Sequence, residues 1–169
     1  MKPYTMILVL FLLSVAFSAS AQEFNDDPLE HLVGNWDVTG IVHGEQSKQV
    51  IEAQWVLNHQ FLRVNEKSIE NVSGKAFPFE AIYYFGYDHA ANHYVIHLLT
   101  VWGADLDVLG IGERRDNELT VSFPFSQGAI TNRFTWRNDS KSWRIVIQES
   151  KGQRPPYVDL EATIPKAAH

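Results

Sequence analysis

The chain has 169 residues, 45% of them hydrophobic and 12% aromatic, with 14 Lys and Arg against 20 Asp and Glu for a formal charge of −6, and no cysteine. That length suffices for one domain that buries about 70% of its unfolded surface without covalent staples. The acidic balance, with no basic run longer than Arg114-Arg115, argues against nucleic acid and anionic membrane surfaces as partners; the missing cysteine excludes disulfides, thiolate nucleophiles and cysteine metal sites.

Met1 to Ala21 has the three parts of an export signal. Lys2 is the lone cation, Met6 to Phe17 form an apolar stretch, and Ala19-Ser20-Ala21 puts small residues at −3 and −1. The stretch is too short for a span of ~20 residues. Cleavage after Ala21 is expected, delivering residues 22–169 to the periplasm or the exterior as a single domain without stable membrane insertion.

Asp27-Pro28 reads as an N-cap followed by a proline at the first helical position, and Leu29, Leu32 and Val33 give one apolar side before Gly34, so a short helix is expected over 28–33. Such a helix could plug one end of a barrel. Segments rich in Val, Ile, Phe, Tyr, Trp and Thr follow at 35–43, 48–57, 60–70, 78–87, 93–102, 106–115, 117–125, 129–137, 142–150 and 157–164. Asn58-His59, Asp88 to Asn92, Asp116-Asn117 and Asn138 to Lys141 are the clearest turns, because Asn and Asp tolerate left-handed backbone. Short turns make consecutive strands antiparallel neighbours. A β-sandwich fits the same strand count, but a closed up-and-down barrel of about ten strands is the more economical way to remove exposed edges. The expected class is therefore all-β.

Alternation suggests the inward residues. In 117–125 one face is Leu119, Val121, Phe123 and Phe125, and in 129–137 one face is Ile130, Asn132, Phe134 and Trp136. Asn132 then needs a partner, since an unpaired buried amide costs a few kcal/mol. In 93–102 both faces are largely apolar, which leaves the phase open there. His93 and His97 share a face but stand roughly 13 Å apart on a strand, too far to chelate one ion together; no metal site is expected. The carboxylate pairs Asp105/Asp107 and Glu66/Glu70 fall where solvated strand or loop charges belong. Asp107 shares a face with Leu109 and Ile111 and could orient His97 as a base. No nucleophile elbow and no phosphate-binding loop occurs.

Gly34-x-Trp36 on a first strand entered from a short helix, with Phe85-Gly86-Tyr87-Asp88, a turn and Tyr94, resembles a bacterial calycin-like, lipocalin-like domain family of unknown function across residues 29–164. The resemblance implies structural roles for Gly34 and Trp36, with the tryptophan packing across the barrel floor and a late-strand cation, Arg144 or Arg133, lying over it. Haem barrels of the nitrobindin type resemble the same opening, but after His97 the chain offers only His169, so no cofactor is expected. The leading expectation is an exported barrel binding a small apolar or amphipathic molecule, with Tyr84, His97, Trp102, Phe123, Asn132 and Trp136 as its contacts. An enzyme acting on a hydrophobic substrate through His97 and Asp107 is the alternative. A filled barrel acting through its surface or a homodimer face is the third.

Overall fold

The computed structural model describes residues 24–71, 78–104, 107–125, 128–149 and 157–165; the export signal expected over 1–21 lies outside them. A four-residue helical turn, α1 (Asp27–Glu30), precedes ten strands: β1 (Gly34–Val42), β2 (Glu45–Val56), β3 (Phe61–Asn71), β4 (Pro78–Asp88), β5 (His93–Thr100), β6 (Val108–Arg115), β7 (Glu118–Phe125), β8 (Gly128–Arg137), β9 (Ser142–Glu149) and β10 (Val158–Thr163).

The helix is shorter than the sequence pattern suggests and starts one residue earlier. Asp26, not Asp27, is its N-cap: the Asp26 Oδ1 accepts the Leu29 N–H at 2.9 Å. Amides of His31, Leu32 and Val33 then bond three residues back, to Pro28, Leu29 and Glu30. Those tighter bonds end the α-helix after one turn, and Gly34, at φ +121°, takes a backbone conformation that side chains disfavour and so starts β1.

Every strand pairs antiparallel with the next, and β1 also pairs with β10, from Asp37 opposite Thr163 to Val42 opposite Val158. The result is a closed ten-stranded up-and-down barrel without free edges. Left-handed residues make the turns where the sequence placed them: Asn58 and His59 between β2 and β3, Asn92 between β4 and β5, Asp116 between β6 and β7, and Lys141 between β8 and β9.

The period-two pattern sorts the wall into inner and outer faces. Inward-facing core residues include Trp36 and Val38 on β1, Leu62 and Val64 on β3, Tyr83 and Phe85 on β4, Val121 and Phe123 on β7, Phe134 and Trp136 on β8, and Leu160 and Ala162 on β10. Strand β6 contributes little bulk. A Cβ on Gly110 would sit 2.5 Å from the Phe123 ring and 2.7 Å from Val121, so the glycine leaves its interior volume to its neighbours.

The two barrel ends differ. At the helix end lie α1 and the connections β2–β3, β4–β5, β6–β7 and β8–β9. At the far end lie the other connections, which include residues 72–77, 105–106, 126–127 and 150–156, outside the described chain.

Candidate functional site in the barrel interior

The helix end is closed by aromatic packing. Phe24 sits 5.5 Å from Trp55, 5.7 Å from Tyr87 and 5.9 Å from Tyr94 between ring centroids. Trp36 meets Trp136 edge-on at 6.3 Å, and its indole N–H donates to the Leu32 carbonyl at 2.8 Å. Asp26, 5% exposed, ties this floor together. Besides capping α1 it accepts a hydrogen bond from the Tyr94 phenol, and the Arg114 Nε lies 3.6 Å from it. Burial first, and then the Asp26 bond, push the Tyr94 phenol well above its ordinary range.

Outside the floor an open surface groove of about 710 Å³ runs past Phe24, Asp26, His89, His93, Tyr94 and Arg114. Its buried carboxylate already has a backbone amide, a phenol and a guanidinium for partners. That is the arrangement of a structural anchor rather than of a site awaiting a ligand.

The interior toward the far end is of another kind. On β3 the inward face that begins with Leu62 and Val64 continues as Glu66 and Ser68, and on β2 Gln49 faces inward beside Ile51. Glu66 is 6% exposed, Gln49 4% and Asn132, on β8, 2%. The solvated role expected of Glu66 is therefore overturned: alternation places it in line with Leu62 and Val64. Ser68 is satisfied where the β3–β4 register shifts, between Lys67 and Asn71. Its hydroxyl accepts from the Phe79 N–H at 2.8 Å and reaches the Phe79 carbonyl at 3.3 Å.

The rest of the cluster is not satisfied in this way. Glu66 receives a hydrogen bond from the Tyr83 phenol, yet burial outweighs it and pushes the carboxyl up to about 7. Tyr83 itself is raised well above its usual range, by burial first and then by Glu66. Gln49 Oε1 and Asn132 Oδ1 are buried with no hydrogen-bond partner. Two indole N–H groups near the floor, of Trp55 and Trp143, also lack one, but these are donors wedged among rings, at 4.0 Å from His59 and 5.5 Å from Trp136. In the far half the orphaned groups are acceptors. Arg63 Nε and Asn65 Oδ1 are also buried and unpaired, on the opposite face of β3 from Leu62, Val64 and Glu66; among the described residues no Lys, Arg or His is buried as a whole, and no three His, Asp or Glu side chains converge as a metal site would need.

Two aromatic side chains span the interior here. Tyr83 on β4 meets Phe134 on β8 edge-on at 6.3 Å, and Asn132 is the next inward residue of β8 toward the far end. Phe123, Leu98, Val108 and Ile147 add apolar surface around the polar groups.

Of the six residues expected to contact a ligand, three point inward. Phe123 and Asn132 belong to the far half, while Trp136 is part of the floor, where its indole donates to Asn138 Oδ1 at 2.9 Å. Tyr84 and His97 sit opposite each other on the outer wall, His97 exposed. Trp102 lies beyond β5, 43% exposed, with its ring 5.2 Å from Phe79. Asp107 is exposed as well, just before β6, so the pair read as base and orienter stands in solvent on the outer face.

The phase error has a cause. The inner face of β6 is Val108, Gly110 and Gly112, and glycine carries no hydrophobic signature, so the outward Leu109 and Ile111 looked like the core side. The cation expected over Trp36 is corrected too. Arg144 faces out and forms a bidentate pair with Asp159 at 2.9 and 2.8 Å, which holds Asp159 below its ordinary value; Arg133 bonds Gln148 at 3.2 Å. Arg114, 3.6 Å from Asp26, is a cation that meets the floor at the helix end. No protein-family model matches the chain, and no curated protein sequence matches it.

Proposed function

We propose that the protein is an exported, calycin-like binding barrel that holds one small amphipathic molecule in the far half of its interior. The ligand's polar group meets Glu66, Gln49 and Asn132, and its apolar body lies against Phe123, Leu98 and Ile147. The observation that carries this reading is the pair of buried, unpartnered oxygens, Gln49 Oε1 on β2 and Asn132 Oδ1 on β8, in the same half of the barrel as a buried carboxyl. Protein interiors rarely leave such groups unmatched, because each costs about 1–3 kcal/mol, and a bound molecule that matches them recovers that cost.

A second reading has an observation of its own. Leu99, Leu109 and Ile111 are 38%, 45% and 43% exposed, and the pairing of His97 with Leu109 sets them side by side on the outer wall with Ile82 and Tyr84. An apolar outer face suits a homodimer of ligand-free barrels. Native mass spectrometry of the mature protein from its own compartment separates the two. The binding reading expects a reproducible extra mass that is lost on denaturation and diminished in Glu66→Gln. A bare mass of two chains would replace it with the dimer.

A further inference from the structure

We propose that the molecule held in the barrel is an amphipathic amine, bound as the ammonium with its charge at the Glu66 carboxylate, in the half of the interior that holds the unpaired Gln49 Oε1 and Asn132 Oδ1. This rests on the binding reading above and narrows it to one chemical class. An ammonium has three donors and no acceptor, and the far half of the interior presents the opposite inventory. Its unsatisfied buried oxygens are acceptors, its carboxyl has a phenol but no cation beside it, and among the described residues no basic residue is buried as a whole, the buried Arg63 Nε lying on the other face of β3.

The other small-molecule classes fit less well. A carboxylate or phosphate would bring further acceptors to a site that already has too many and would face Glu66 with like charge. An alcohol offers one donor and no charge to a buried carboxylate. A buried lysine or arginine would satisfy these oxygens permanently, and among the described residues none is placed to do so. The charge pairing also gains strength from its surroundings, since an ion pair enclosed by Phe123, Val108 and Ile147 is poorly screened.

The titratable groups around the site leave Glu66 in control of pH dependence. Tyr83 bonds it, and both Tyr83 and Tyr157 are raised, Tyr157 to about 12 by burial first and then by the exposed Glu149. Both phenols thus stay neutral between pH 6 and 8, whereas the Glu66 carboxyl, at about 7, changes state. An ammonium binds the ionised form. One pH unit below that value about one-tenth of the carboxyl is ionised, so amine affinity should fall roughly tenfold between pH 8 and pH 6.

The test is calorimetric titration of the mature protein, stripped of bound small molecules, with dodecylamine, dodecanol and dodecanoate, each below its micelle concentration. At pH 8 the amine is expected to bind about tenfold or more tightly than the alcohol, with dodecanoate weakest. At pH 6 the amine's advantage should shrink roughly tenfold, and in Glu66→Gln it should disappear at both pH values. Alcohol or dodecanoate binding as tightly as the amine would overturn the amine assignment while leaving an interior ligand in place. No heat from any of the three would overturn both. The wild-type comparison across probes and pH decides the matter even if the variant fails to fold.

Discussion

Asp26 and Glu66 are both carboxyl groups buried in one barrel, and their surroundings differ in what they complete. Asp26, at the helix end, accepts from the Leu29 amide and the Tyr94 phenol and lies beside Arg114. Glu66, in the other half, has one phenol and two orphaned oxygens for company. Burial alone therefore does not distinguish an anchor from a site. What distinguishes them is whether the hydrogen-bonding inventory around the acid closes within the protein.

The comparison breaks most visibly at Asp26. Replacing it with Ala removes the N-cap, worth about 1 kcal/mol, and strands the buried Tyr94 hydroxyl, worth about 1–3 kcal/mol more. Urea unfolding should show a loss of about 3 kcal/mol with an unchanged slope. A loss under about 1 kcal/mol would mean that the floor is held by its rings alone and that Asp26 is no anchor.

Glu66 should respond in the opposite sense. Its carboxyl stands at about 7 in the folded protein against an ordinary 4.5, so between those values the unfolded chain gives up a proton that the folded chain keeps. Folding stability contributed by this group then falls as pH rises through that window, by roughly 3 kcal/mol in all, and stays low above it. Glu66→Gln has no proton to lose. Its amide must find partners of its own, at a cost of about 1 kcal/mol at any pH, so the variant should exceed wild type by about 2 kcal/mol at pH 8 and fall about 1 kcal/mol below it near pH 4. An identical difference at both pH values would show that Glu66 is solvated and that the far half holds no buried acid.

The architecture could be read from the residues because its signals are local. Turn residues such as Asn58, Asn92 and Asp116, and runs of β-branched and aromatic residues between them, place the ten strands to within three residues at each end. The site was harder. Alternation along β3 put Glu66 on the face of Leu62 and Val64, but a carboxylate on a strand reads as solvated unless the opposite wall is known, and that wall is β8, more than sixty positions away. Asn132 was found because its own strand is otherwise apolar inside. Tyr84 and His97 were misplaced because β5 is apolar on both faces and β6 turns two glycines inward, so neither strand reveals its phase without the barrel's closure.

The smallest expected effect sharpens what the floor is made of. If a late-strand cation lay over Trp36, removing it would open the aromatic floor and expose part of a tryptophan that is 4% accessible. Arg144 instead pairs with Asp159 on the outer wall, where both side chains are more than 40% accessible, and such pairs contribute about 0.2–1 kcal/mol because solvent screens them and two long side chains must be ordered. Arg144→Ala should therefore cost no more than about 0.5 kcal/mol in urea unfolding, and the deficit should vanish in high salt. Near-ultraviolet circular dichroism, which reports the packing of Trp36, Trp136 and Trp143, should be unchanged. A loss above about 2 kcal/mol that persists in salt, with an altered aromatic spectrum, would give Arg144 the floor position after all and would take from Arg114 and Asp26 their part in closing that end.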